Sequence, residues 1–324
     1  MARIGSTVVL LVTALAAVSC GTAGDATTAQ ECRTVAHELG SACVPQDPQR
    51  IVTLDSVTVL PTLLELEVPV AGALRVYPSG DPFPDYLDES DTAGIELVGT
   101  MQEIDLEQVA ALQPDLIIGT APMLEPVLAQ LEQIAPTVGV GFSFYHSGWA
   151  DDIRLIGATV GRESEVEEQL AGLAAEADKT RTQVMAGGAE RTLSRVDVYQ
   201  GAPLYYSYGC TWIGEVLASA GVRQPDGQRS ECTDGDIQSA LNSISLEEVS
   251  VLEADAIVAY QQQDSDSALG ASPLAELERS PLWQDLDAVR GERVFVFGDA
   301  WGLGASVPAA EQVLADLRTE IFTG

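Results

Sequence analysis

Ile104-Asp105-Leu106-Glu107-Gln108-Val109-Ala110-Ala111-Leu112-Gln113-Pro114-Asp115-Leu116-Ile117-Ile118-Gly119 is the stretch that decides the fold class. Asp105 has the place of an N-cap, and Gln108 three residues on fits a capping box. Val109, Ala110 and Leu112 give a short apolar helical face. Pro114 ends that helix and biases Gln113 away from helical geometry. Leu116-Ile117-Ile118 is then a continuous apolar run closed by Gly119, the pattern of a strand buried on both faces of a parallel sheet. The pattern returns at Ile244-Ser245-Leu246-Glu247-Glu248-Val249-Ser250-Val251-Leu252-Glu253-Ala254-Asp255-Ala256-Ile257-Val258-Ala259. There Ser245 is the cap, Glu248 closes the box and 256–259 is the strand. A helix-then-buried-strand unit that recurs implies two halves built alike.

The 324 residues, 46% of them hydrophobic, suffice for two lobes with cores. The formal net charge is −33, from 16 basic and 49 acidic residues. Nucleic-acid binding needs a basic footprint, so that class is excluded. With two His in the chain, catalytic triads and His-rich metal sites have almost nothing to be built from. No GxSxG elbow, phosphate-loop GK[ST], HExxH helix or strand-linked GxGxxG is present. The chain reads as a binding protein without a cofactor or metal site of its own. An extracytoplasmic enzyme or a structural surface lipoprotein is the alternative from another class.

Residues 1–20 read as a signal peptide, with Arg3 ahead of an apolar run from Ile4 to Val18 that is too short for a comfortable membrane span. The run ends Ala17-Val18-Ser19-Cys20-Gly21, which resembles a bacterial lipobox with Ala17 where Leu is usual. That resemblance implies lipidation of Cys20 and an extracytoplasmic protein anchored to the cell membrane. Four cysteines remain, and in an exported chain they read as two disulfides. Three connectivities are open; proximity in sequence favours Cys32–Cys43 and Cys210–Cys232. Residues 21–46 are expected to hold a tether and a hairpin centred near Gly40, residues 47–148 the N-terminal lobe, 149–188 linking helices and 189–324 the C-terminal lobe. The helices are expected over Trp149–Val160 and from Glu163 to about Ala186.

Several further motifs fall in a fixed order. Pro48-x-Arg50-Ile51-Val52-x-Leu54-Asp55 precedes a Leu-rich helix, then Val68-Pro69-Val70-Ala71-Gly72-Ala73, then Val98-Gly99-Thr100, then the opening stretch. Trp283-x-x-Leu286-x-Ala288-Val289-Arg290-x-x-Arg293-Val294 comes near the end. Together they resemble the periplasmic-binding-protein family for iron–siderophores and vitamin B12, over nearly the whole mature chain. The resemblance implies an α/β fold of two three-layer lobes with mainly parallel sheets, joined by a long bridging helix. It also implies a monomer that captures a ferric siderophore between its lobes and delivers it to an ABC permease. Cobalamin or heme on the same scaffold is the alternative. Glu107 and Glu247, each at the second helical position of its repeat, align with the acids that such proteins offer to permease Arg residues. Read locally, a Glu there simply suits the helix dipole.

Ligands of open α/β sheets sit beyond the carboxyl ends of the strands. Aromatic residues make up 6% of the chain, yet they gather after the expected strands. Arg75, Tyr77, Phe142, Phe144, Tyr145, Tyr205, Tyr206, Tyr208 and Trp301 are the ligand-binding candidates, with Tyr260 and Asp299 also at strand ends. Aromatic faces with little positive charge suit a large neutral or cationic ferric chelate better than a tris-catecholate.

Overall fold

The computed structural model describes residues 32–77, 80–141, 148–187, 191–198, 204–207, 211–228, 241–261 and 273–323. It opens with a hairpin, β1 (Cys32–His37) against β2 (Gly40–Pro45), antiparallel from Cys32↔Pro45 to His37↔Gly40. Cys32 and Cys43 are joined by a disulfide, with their Cα atoms 5.4 Å apart.

The first lobe is a five-stranded sheet of β3 (Ile51–Thr53), β4 (Val70–Arg75), β5 (Glu96–Thr100), β6 (Leu116–Thr120) and β7 (Thr137–Val140), in the order β5-β4-β3-β6-β7. Every pairing in it is parallel. The opening stretch supplies β6, paired with β3 on one side and β7 on the other. Asp105 accepts a hydrogen bond from the Gln108 N–H at 2.9 Å and caps the helix Leu106–Ala111. The reciprocal bond of a capping box is replaced: the Asp105 N–H donates to the Val98 carbonyl at 2.9 Å. Gln113, pressed by Pro114, takes a left-handed φ of 48°. Leu116, Ile117 and Ile118 are all fully buried, and they alternate between two cores. Fully burying each such side chain is worth roughly 1.5–3 kcal/mol, so a strand buried on both faces gains at every position.

The second lobe holds β8 (Arg191–Val198), β9 (Leu204–Ser207), β10 (Val222–Arg223), β11 (Leu241–Ile244), β12 (Ala256–Gln261) and β13 (Val294–Phe297). Their order is β11-β9-β8-β12-β13, with β10 also on β8. The β8, β10, β12 and β13 pairings are parallel, whereas β9 runs antiparallel to both β8 and β11. The second repeat feeds β12 as expected, with one correction. Leu246–Leu252 winds as a 3-10 helix instead of an α-helix, while Glu248 accepts hydrogen bonds from the N–H and hydroxyl of Ser245 at 3.0 Å each.

Two helices connect the lobes. Trp149–Val160 ends at Gly161, whose φ of 71° suits a left-handed stop. Glu163–Val184 follows, 22 residues and so about 33 Å long. Gln169 on it donates to the Glu65 carbonyl of the first lobe at 3.2 Å. Near its other end Arg181 donates twice to the Ser219 carbonyl, at 2.9 and 2.6 Å, closing the end of the helix Trp212–Ser219. Arg318, beyond the last helix Val307–Asp316, reaches Glu176 at 2.8 Å. That last helix passes into a π-helical turn over Leu317–Ile321. One apolar core runs from Ile51 and Leu116 in the first sheet, through these helices, to Leu193 and Val258 in the second. Among the described residues no helix is long and apolar enough to cross a membrane.

Candidate functional site

The carboxyl ends of the two sheets meet through a buried cluster. Tyr77 follows β4 in the first lobe; Tyr260 lies near the end of β12 and Asp299 just beyond β13 in the second. The Tyr77 and Tyr260 hydroxyls both donate to Asp299 Oδ1, the latter at 3.3 Å. Asp299 Oδ2 accepts from the Asp85 N–H at 3.1 Å, and Asp85 Oδ1 accepts from the Asp299 N–H at 3.0 Å. Four residues from two lobes are thus interlocked. The close approach needs glycine: a Cβ on Gly298 would fall 1.9 Å from an Asp85 carboxylate oxygen, and one on Gly302 would fall 2.1 Å from the Tyr260 ring. Burial, with Tyr260 and Asp299 beside it, pushes the Tyr77 phenol far above its ordinary value, so it stays protonated and donates. Burial also raises the Asp299 carboxyl, against the pull of the Tyr77 hydrogen bond.

The strand ends beside this cluster are polar but engaged. Asp55, after β3, is buried, and its Oδ1 accepts the N–H groups of Val57, Thr58 and Val59 at 3.2, 2.7 and 2.8 Å. These bonds hold the turn that leads through Thr58 into the helix Val59–Glu65; burial nevertheless raises the Asp55 carboxyl. Within β8, Arg195 and Asp197 form a fully buried ion pair at 2.7 Å. Burial pushes the Asp197 carboxyl up to about 6, while Arg195 opposes the shift. Among the described residues no cluster of three or more His, Cys, Asp or Glu could hold a metal ion.

The expected ligand residues are placed as follows. Arg75 is half-buried at the end of β4 and donates to the Gly80 carbonyl at 3.0 Å. Tyr77 is buried, and its hydroxyl serves the interlock. Trp301 is fully buried: its ring stacks on Phe297 with centroids 5.3 Å apart, and its indole N–H donates to Asp316 at 2.7 Å. The helix Val307–Asp316 covers it, so in this arrangement it is a core residue with no face for a ligand. Tyr205 and Tyr206 lie in β9, in register with Ser243 and Asn242 of β11. Phe142, Phe144, Tyr145 and Tyr208 lie outside the described residues, as do Cys20, Cys210 and Cys232. Glu107 and Glu247 are both exposed at the second position of their helices, and neither is engaged in a hydrogen bond or ion pair among the described residues. Asp85 escaped the sequence reading. It lies in Asp81-Pro82-Phe83-Pro84-Asp85, which has no periodicity to mark it.

Two α/β lobes, strand ends facing one junction and a long helix across both describe a solute-binding protein. The chain belongs to the periplasmic binding protein family, whose model matches residues 73–300. It is 28% identical over 290 residues to the probable siderophore-binding lipoprotein YfiY of Bacillus subtilis, covering 89% of this chain and 87% of that one. It is also 28% identical over 304 residues to the Fe(3+) dicitrate-binding periplasmic protein FecB of Escherichia coli, covering 87% and 88%. Among solved structures, Staphylococcus aureus SirA complexed with staphyloferrin B superposes with a TM-score of 0.74 over 89% of this chain and 97% of that one. At 23% identity that likeness speaks for the fold alone.

Proposed function

We propose that this chain is the extracytoplasmic, lipid-anchored binding component of an ABC importer and captures a ferric siderophore between its lobes. The observation that carries the reading is the convergence of both sheets' carboxyl ends on one junction, the place where open α/β sheets take ligands. Family membership and relatives named for siderophore and ferric dicitrate binding support the ligand class. The siderophore holds the iron, so the protein needs no metal ligands. In this reading Phe142, Phe144, Tyr145, Tyr205, Tyr206 and Tyr208 are assigned to an aromatic lining, and Arg75 is the cation assigned to the ligand. Among the described residues positive charge at the junction is sparse. Arg195 is tied to Asp197, while Asp55, Asp85 and Asp299 are acidic. A neutral or cationic chelate, of hydroxamate or mixed type, fits this balance better than a tris-catecholate. Titration of tryptophan fluorescence with a siderophore panel tests it; tighter binding of the catecholates overturns the ligand class.

Glu107 and Glu247 present one unengaged carboxylate on each lobe for basic residues of the permease, and Cys20 carries the lipid. Replacing both acids by Arg is expected to abolish uptake while leaving ligand affinity unchanged. Undiminished uptake would end the docking assignment.

A further inference from the structure

At the opposite end of the second sheet lies a recess of about 140 Å³, lined by Gln183, Arg191, Asp255, Arg293, Phe322 and Thr323 among others. Its frame follows from the strand order. Arg191 is the first residue of β8, Asp255 immediately precedes β12, Arg293 immediately precedes β13, and these three strands are neighbours. Eight residues of β8 separate the recess from the lobe junction, roughly 23 Å at about 3.3 Å per step. It is a separate place on the molecule.

Its chemistry runs against the rest of the chain. In a protein with 49 acidic and 16 basic residues, two guanidinium groups line one recess, and neither is ion-paired to a carboxylate among the described residues. Arg191 lies over the Phe322 ring, 5.9 Å from its centroid. That contact takes the face of the guanidinium and leaves its N–H edge for an acceptor. The Arg191 Nε is buried without a hydrogen-bond partner. A buried guanidinium donor left unmade is costly, and an anion would satisfy it. Arg293 spends one nitrogen on the Asp287 carbonyl at 3.1 Å. The Asp255 carboxylate is the local counter-charge, but its Oδ2 is taken up by the Thr192 N–H at 2.8 Å and the Thr192 hydroxyl at 3.0 Å. Among the described lining residues two cations face one anion, a net positive balance. More distant carboxylates are screened over about 8 Å at physiological ionic strength.

We propose that this recess binds a small oxyanion of the phosphate class, gripped by Arg191 and Arg293. Planar guanidinium forks match such oxygens two at a time. The ion is either free in solution or the phosphate of a lipid headgroup. Calorimetric titration of the full mature chain with inorganic phosphate, at constant ionic strength, is the test. One saturable site per chain is expected, weakened at least tenfold in R293Q and in R191Q. Arg293 is exposed, so R293Q keeps the fold, which its melting in phosphate-free buffer checks. Siderophore affinity is expected to be unchanged in both variants. Absence of a saturable site, or a site of the same affinity in R293Q and R191Q, overturns the proposal. Cosedimentation with phosphatidylglycerol vesicles separates the sources. Binding displaced by phosphate and lost in R293Q identifies a headgroup; a calorimetric site without vesicle binding identifies a free ion.

Discussion

Replacing Asp299 by Ala removes the acceptor on which both lobes converge. Three donors lose their partner at once: the hydroxyls of Tyr77 and Tyr260 and the N–H of Asp85. The two hydroxyls lie 3.4 Å apart, so one can turn to the other, and the other two donors lose the carboxylate. Each buried unsatisfied donor costs about 1–3 kcal/mol. Relief from burying the Asp299 carboxylate offsets part of that, since burial raises its pKa. The net expectation is a loss of about 3 kcal/mol, which for a chain of this size lowers the melting temperature by roughly 4–5 °C. Thermal unfolding followed by circular dichroism gives the number, and a double-mutant cycle with Tyr77→Phe gives the coupling. The two changes are expected to be non-additive by at least about 1 kcal/mol because they share one bond across the lobes. A D299A protein that melts within a degree of the parent, or strict additivity in the cycle, would refute the interlock.

The buried Arg195–Asp197 pair is expected to behave asymmetrically. Arg195→Met alone strands a buried carboxylate and costs roughly 3–5 kcal/mol by chemical denaturation, whereas Arg195→Met with Asp197→Leu is near neutral or stabilising; equal losses in the two variants would contradict this. His37 supplies a pH dependence. Its Nδ1 accepts from the N–H groups of Leu39 and Gly139 at 3.2 and 3.3 Å, which only a neutral imidazole can do, and burial lowers its pKa below the usual 6.5. Its stabilising contribution is therefore complete above pH 6.5 and is lost as the pH falls through 6.5 towards the lowered folded value. Comparison of stability against pH for the parent and His37→Gln is expected to show that slope in the parent alone.

The lobes were legible because parallel strands buried on both faces leave an unbroken apolar run, as at Leu116-Ile117-Ile118, and because capped helices announce them. The junction was legible only in outline. Strand ends can be found by periodicity, so Tyr77, Tyr260 and Asp299 are each legible as strand-end residues. The direction of each side chain cannot be found this way. Trp301 follows β13 just as a ligand residue would, yet the helix Val307–Asp316 folds over it and Asp316 takes its N–H. Arg195-Val196-Asp197 alternates like a half-exposed strand, although all three residues are buried. An ion pair that hides two charges looks, in a sequence, like a solvent face. Asp85 carried no signal, because its role arises from a contact more than 200 residues away along the chain.

The N-terminal hairpin has a mechanical consequence. Its disulfide joins Cys32, the first residue of β1, to Cys43, which pairs in register with Thr34. The covalent link therefore spans the open mouth of the hairpin, diagonally across its outermost rungs. Any tension arriving along the chain at Cys32 passes through sulfur to Cys43 and on towards Pro45, bypassing the rungs between Thr34 and His37. Those hydrogen bonds are never loaded one after another, the geometry in which a hairpin unzips at low force. At its closed tip, meanwhile, the Glu38 N–H is fastened to the Gly139 carbonyl on the edge strand β7 at 3.1 Å. A protein held at its N-terminus would meet fluid drag with a covalent shackle in line, and the inner rungs of the hairpin would bear none of the peeling strain.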